Sequence, residues 1–219
     1  MMGGHAIVGS HIPLAAGFAF ASKYRGEERV ALCYLGDGAI NQGGVHEALN
    51  MAALWKLPVI YIVENNLYAM GTSLVRSSSL VDLTTRCATP YGIPGHRING
   101  NDVELMAKTT LECVEHARAG EGPSFIEAQT YRYKGHSISD PGKYRMRDEL
   151  DSYIKKDPIV VYETVLKERG WIDDDQIEKM FDEVKQEIEE SIEFAEQSEP
   201  TPLSMLYDDI TTGPYIPQE

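Results

Sequence analysis

Basic residues are scarce in this chain. Its 219 residues carry 20 Lys and Arg against 34 Asp and Glu, a formal net charge of −14. A nucleic-acid-binding surface is normally basic, so that class is set aside. The acidic excess favours solubility and names no partner. Long apolar runs are missing too, and no stretch reaches the roughly 20 residues of a membrane span. Ile12 to Ala21 comes nearest to a signal-peptide core, but no basic segment precedes it, so a buried helix is expected there. Cysteine is sparse, odd in number and without metal-ligand spacing. Cys33, Cys87 and Cys113 are therefore expected as packed thiols in a reducing compartment, not as a disulfide framework. The absence of G-x-S-x-G and H-E-x-x-H removes the serine- and zinc-hydrolase readings. No internal repeat is visible, and no linker demands two separate domains.

What the chain does have is one organised stretch, Arg29 to Gly71, within a hydrophobic fraction of 42% that is ordinary for a globular protein. Val30 to Leu35 is an apolar run of strand length, closed by Gly36-Asp37-Gly38. Asn41 to Lys56 has Val45, Ala48, Leu49, Ala52 and Ala53 at helical spacing, and Leu57-Pro58 ends it because the residue before proline avoids the helical region. Val59 to Val63 is a second strand, closed by Glu64-Asn65-Asn66. Two apolar strands joined through a helix form a right-handed parallel unit. Both polar turns then fall beyond the carboxyl ends of the strands, where open α/β sheets bind ligands. Asp37 and Asn66 are thus expected to be neighbours. A carboxylate beside a carboxamide oxygen suits magnesium, which takes oxygens at about 2.0–2.1 Å and completes its shell with phosphate and water. The Tyr68 carbonyl is a candidate third ligand. Gly36 and Gly38 allow a phosphate to approach the backbone, and the helix that follows directs its positive end at the same place.

The remaining segments are read around this unit. Gly3 to Ser10 is a glycine-rich loop, and Ile12 to Tyr24 a helix of small residues with Pro13 in its first turn. Ser73 to Pro94 is loop or short helix. Ile98 to Asp102 is a turn, with Asn101 a candidate cap for a helix over Val103 to Ala119. Ser124 to Thr130 is a further strand. Tyr131 to Arg147 is a polar loop holding His136 and the cations Arg132, Lys134, Lys143, Arg145 and Arg147. Short helices follow at 148–154 and 159–169. Asp173 to Gln197 is a long amphipathic helix, with Ile177, Met180, Phe181, Val184, Ile188 and Ile192 on one face. Residues 207–219 carry turn and proline signals of an arm.

The wording GDGAINQGGVHEALNMAALWKLPVIYIVENNLYAMGTS, together with YRYKGHSISDPGKYR and more loosely SEPTPLSMLY, resembles the alpha subunits of thiamine diphosphate-dependent 2-oxo acid dehydrogenases, the pyruvate dehydrogenase first component in particular. The resemblance implies an α/β fold, with a parallel sheet and helices on both faces, over residues 1–150. A helical extension and carboxy-terminal arm over 151–219 would pack on the same domain. It implies thiamine diphosphate and Mg2+ as cofactors, with Asp37, Asn66 and the Tyr68 carbonyl on the metal. Backbone around Ala6, Val8, Gly38 and Ala39 would meet the cofactor, although the family usually has glycine where Ala6 stands. His136 would be the active-site histidine of a loop that orders over the cofactor, with Arg132 a weaker candidate for phosphate contact. The expected reaction decarboxylates pyruvate and passes the acetyl group to the lipoyl domain of a dihydrolipoyl acetyltransferase. The expected assembly is an α2β2 heterotetramer, in the cytoplasm of a bacterium or in a mitochondrial or plastid matrix.

The family's beta subunit supplies the carboxylate that activates the cofactor, and an aromatic-arginine pair belongs to an amino-terminal portion that the resemblance implies is absent. The chain alone is therefore expected to be catalytically incomplete. Ser73 and Ser137 match phosphorylated serines of mitochondrial relatives, but the serine that should follow Asp140-Pro141-Gly142 is replaced by Lys143-Tyr144, which argues against kinase control. The alternatives are an alpha subunit acting on a branched-chain 2-oxo acid or acetoin, and a non-catalytic remnant that binds the beta subunit only.

Overall fold

The apolar run after Arg29 becomes the outer strand of a four-stranded sheet. In the computed structural model, which describes residues 2, 3, 6–208 and 213, strand β1 spans Ala31–Gly36 and strand β2 spans Val59–Asn65. Helix α1 (His11–Tyr24) precedes β1, and helix α2 (Gly43–Leu54) joins the two strands. A small antiparallel hairpin, β3 (Tyr68–Ala69) with β4 (Thr72–Ser73), follows and leads into the single-turn helix α3 (Leu74–Ser77). Strand β5 (Gly95–Asn99), helix α4 (Val103–Arg118) and strand β6 (Ser124–Gln129) complete the sheet. The strand order is β1-β2-β6-β5, and every pair is parallel. Helices α5 (Arg147–Ile154), α6 (Pro158–Glu168) and α7 (Asp174–Gln197) follow.

The central strands β2 and β6 are covered on both faces, while β1 is covered only on the α1–α2 face, with Leu32 and Tyr34 45% and 54% exposed on the other. Ile12, Ala16 and Ala19 of α1 and Val45, Leu49 and Ala52 of α2 pack with Cys33, Leu35, Tyr61, Val63 and Phe125. On the other face Ile60, Ile62 and Ile126 meet Cys113, Met106 and Val114 of α4. All five residues from Val59 to Val63 are buried, which explains why β2 reads as an uninterrupted apolar run. The three cysteines are free and buried, and burial pushes the Cys33 thiol up to about 12 and Cys87 to about 11. No helix among the described residues is long and apolar enough to cross a membrane.

Three expectations differ from the structure. Of the turn expected over Ile98 to Asp102, Gly100 and Asn101 do turn, but Ile98 and Asn99 end the edge strand β5. Its alternating exposure and its content of His96 and Arg97 hide it from a search for apolar runs. The cap of α4 is Asp102 rather than Asn101: the Asp102 carboxylate accepts from the Leu105 N–H at 2.9 Å. The helix expected from Asn41 is also split, into a 3₁₀ turn at Ala39–Asn41 and α2 from Gly43. The chain divides into two compact units, Met1–Thr164 and Val165–Glu219. In the second, α7 opens with a reciprocal cap between Asp173 and Gln176, and the apolar stripe Met180, Phe181, Val184, Ile188 and Ile192 is more than half exposed. Of the expected arm, residues 209–212 and 214–219 lie outside the described residues, as do Gly4 and His5 of the first loop.

Phe125 joins the sheet to the α1–α2 layer at 1% exposure. Phe125→Ala is expected to cost about 3–5 kcal/mol, read as a lower denaturant midpoint at an unchanged slope.

Candidate functional site

The parallel register decides what meets at the carboxyl edge. Gly36 pairs with Glu64, so the next residues, Asp37 and Asn65, face each other, and Asn66 follows at once. Asp37 is 2% exposed, and its carboxylate lies by its own backbone N–H and that of Asn66, both of which favour its charged form. The expected convergence of the two turns is therefore observed. Burial raises the Asp37 pKa above its ordinary 3.8. The two N–H groups and the Arg132 charge act in the opposite sense, and the Glu127 charge adds slightly to the rise.

The second turn is held by its own amides. Asn65 Oδ1 accepts from the Leu67 N–H and Asn66 Oδ1 from the Tyr68 N–H, each at 3.2 Å. The turn forces Leu67 to φ 74° and Met70 to φ 51°, a left-handed region that non-glycine residues seldom enter. Gly38 has no room for a side chain, since a Cβ there would meet the Ala69 Cβ at 2.6 Å. Ala39 is buried in the 3₁₀ turn, so the positive end of α2 starts only at Gly43, beyond that turn. Val8 is 60% exposed and Ala6 is exposed too; both sit in the turn before α1, where a Cβ on Gly9 would meet Gln42 Cγ at 2.8 Å. The glycine-rich turn therefore lies against the Ala39–Gln42 segment.

Tyr131 to Arg147 folds back over the second turn. Arg132 donates to the carbonyls of Tyr68 at 3.2 Å and Met70 at 2.6 Å and to the Tyr144 hydroxyl at 2.7 Å. It also stands 3.5 Å from His136 Nδ1. Arg132 is thus a structural clasp of this loop, a role its isolated charge did not announce. Asp140 accepts from the N–H groups of His136 and Gly142 and from the Tyr144 hydroxyl, which together hold its carboxyl down at about 2. Arg145 donates to the carbonyls of Arg132, Tyr133 and Lys134 and lies 5.5–5.7 Å from the ring centroids of Tyr68, Tyr131 and Tyr144. Glu149 accepts from the Tyr68 and Tyr131 hydroxyls, tying α5 to the same cluster. His136 is exposed at the rim, and Ser137 beside it is exposed as well.

Among the described residues no three His, Cys, Asp or Glu side chains cluster as a ready-made cation cage. The acceptors at this edge are one buried carboxylate, one carboxamide oxygen and the Tyr68 carbonyl, whose second lone pair remains beside the Arg132 bond. That donor set fits a hard cation which draws further oxygens from a phosphate, and the close approach at Gly38 fits a phosphate laid on backbone. Sequence reading passed over Glu127 and Asp140. A carboxylate inside the strand SFIEAQ was the available sign of the first, because a buried charge needs partners.

A family model described as "Dehydrogenase E1 component" matches residues 1–204. Among curated relatives, the pyruvate dehydrogenase E1 component subunit alpha of Rhizobium meliloti is 50% identical over 210 residues, covering 95% of this chain and 60% of the relative. The proteins of the same name from Rickettsia bellii and Zymomonas mobilis are 44% and 42% identical, covering 90% and 97% of this chain and 60% of each relative. The chain spans about 60% of the length of these relatives.

Two substitutions separate the turn from the loop. Because the folded pKa of Asp37 is raised, its charge works against stability once pH passes above 3.8 and through the folded value. Without divalent cation, Asp37→Asn is expected to melt at or above the parent temperature at pH 7, and to show no such gain below pH 3.8. In Gly135→Ala a methyl would collide with the Asp140 carbonyl oxygen. Limited proteolysis is expected to cut that variant within 131–147 under conditions that leave the parent loop intact.

Proposed function

The chain belongs to the dehydrogenase E1 component family, and from that premise we propose that it is the alpha subunit of a thiamine diphosphate-dependent pyruvate dehydrogenase. The observation that carries the reading is the buried Asp37 carboxylate beside the Asn66 backbone at the ends of adjacent parallel strands, with the Tyr68 carbonyl on the same turn. In the proposal Asp37 and Asn66 hold Mg2+ through their side chains and Tyr68 through its carbonyl. Gly38 and Ala39 present backbone to the diphosphate, and Ala6 and Val8 border it from the turn before α1. When bound, thiamine diphosphate supplies the carbon nucleophile and the electron sink for decarboxylating a 2-oxo acid.

The loop residues divide the remaining work. Arg132 places positive charge at the mouth of the site and clasps the loop to the second turn. His136, next to Arg132, is positioned to hold a phosphate oxygen or to steady charge as the acetyl group leaves for a lipoyl carrier. Arg145, Asp140 and Gly135 shape the loop so that His136 stays at the rim.

Partners follow from the same reading. Helix α1 is apolar on nearly all sides: Ile12, Ala15, Ala16 and Ala19 are buried, while Leu14, Phe18 and Phe20 are 43–47% exposed. A helix of that kind is normally covered on its outer side too, which supports a beta subunit and an α2β2 assembly. Pyruvate as substrate is supported by the names of the relatives, and the lipoyl domain of a dihydrolipoyl acetyltransferase is the acceptor in this proposal.

The test mixes the chain with a candidate beta subunit and titrates thiamine diphosphate with and without Mg2+. Pyruvate is then assayed against branched-chain 2-oxo acids with an artificial electron acceptor. Mg2+-dependent binding and a preference for pyruvate are expected, with His136→Ala lowering turnover by about 100-fold or more. At about 100 times its Kd, the cofactor should stabilise the parent by about 2.7 kcal/mol and leave Asp37→Asn unmoved. Equal stabilisation of parent and Asp37→Asn would defeat the proposed metal site, and preference for a branched-chain acid would reassign the substrate.

A further inference from the structure

Asp37 and Glu127 are the buried carboxylates among the described residues, and only the first has a place in the proposed chemistry. Glu127 is 0% exposed in the middle of β6. A charge so placed is costly unless every lone pair finds a donor. Glu127 Oε1 accepts from Asn65 Nδ2 at 2.8 Å and pairs with Arg97 Nε at 3.3 Å, and Oε2 accepts from the Leu83 N–H at 2.9 Å.

The contact with Asn65 has a directional consequence. An amide that turns its NH2 towards Glu127 must turn its oxygen the other way, and that oxygen accepts from the Leu67 N–H at 3.2 Å. The bond closes the turn in which Leu67 adopts φ 74°. The same turn sets Asn66 beside Asp37 at the ends of adjacent strands and brings the Tyr68 N–H onto Asn66 Oδ1. Register supports the reach, because Glu127 pairs with Val63 while Asn65 lies two residues further along the same face.

We infer that Glu127 is a positioning residue for the metal site. It fixes the Asn65 amide, and through it the strained turn that presents Asn66 and the Tyr68 carbonyl beside Asp37. It touches neither ion nor cofactor. Arg97 balances its charge from the half-exposed side, and Leu83 anchors it from the segment beyond α3. The role rests on the proposed function, since it concerns the site that would hold Mg2+.

Glu127→Gln keeps the size and removes one acceptor, so its NH2 must face either the Asn65 NH2 or the Leu83 N–H. Two quantities are measured with the candidate beta subunit present. One is Mn2+ affinity by electron paramagnetic resonance at saturating thiamine diphosphate. The other is hydrogen exchange at the Leu67 amide, with Ile62 and Ile126 as references. Glu127→Gln is expected to weaken Mn2+ binding about 10–100-fold and to speed exchange at Leu67 while the references stay protected. Adding Asn65→Asp to that variant supplies a carboxylate that accepts from both position 127 and the Leu67 N–H, and protection of Leu67 should return. A lower melting temperature with unchanged Mn2+ affinity and unchanged Leu67 exchange would show that Glu127 merely satisfies the core, overturning the inference. Failure of the parent to bind Mn2+ would overturn the proposed function and this role with it. Leu67 exchange distinguishes that case from a mistaken account of the turn.

Discussion

The meeting of the buried Asp37 carboxylate with the Asn66 backbone is the constraint on which the rest depends. It joins the ends of two adjacent parallel strands, and it exists because β1 and β2 are in the one register that sets Gly36 against Glu64. A slip of one residue would send Asp37 and Asn65 to the opposite face. In the observed register Cys33, Leu35, Tyr61 and Val63 lie under α1 and α2, and Asp37 and Asn65 follow them on the same face. Packing of an ordinary core thus fixes the geometry of a polar edge several residues away.

Burial gives that edge its chemistry. Asp37 loses water without gaining an ion pair within 4 Å among the described residues, so its charge is favoured only by nearby backbone N–H groups and, at longer range, by Arg132. An incoming cation would meet a carboxylate already desolvated and oriented, which lowers the reorganisation needed on binding. The loop above it is arranged on the same principle. Arg132 satisfies two carbonyls of the second turn, Arg145 satisfies three carbonyls of the loop itself, and Asp140 gathers the N–H groups left over. Loop and turn therefore share partners, and disturbance of one is felt by the other.

Much of this was legible from residues alone. The uninterrupted run at Val59–Val63 announced a buried strand, and the three- and four-residue spacing of apolar positions in 41–56 announced a helix between two parallel strands. From those two facts the meeting of Asp37 and Asn66 follows. What escaped was of a different physical kind. Strand β5 sits at an edge with His96 and Arg97 half covered, so it lacks the apolar signal a central strand carries. The 3₁₀ turn at Ala39–Asn41 depends on how the chain leaves the sheet, not on spacing of apolar residues. Glu127 and Arg132 act through partners distant in sequence, at Asn65 and Met70, and only the fold reveals those pairings, while Asp140 acts within its own loop, on His136, Gly142 and Tyr144.

One measurement reaches the central claim most directly. Diffraction from crystals of the chain with its beta subunit, thiamine diphosphate and Mn2+, collected for the anomalous signal of manganese, would locate the ion. The account predicts a single strong peak in direct coordination with an Asp37 carboxylate oxygen and Asn66 Oδ1, with the Tyr68 carbonyl and diphosphate oxygens completing the shell. A peak elsewhere, or none while Asp37 and Asn66 keep their places, would contradict it.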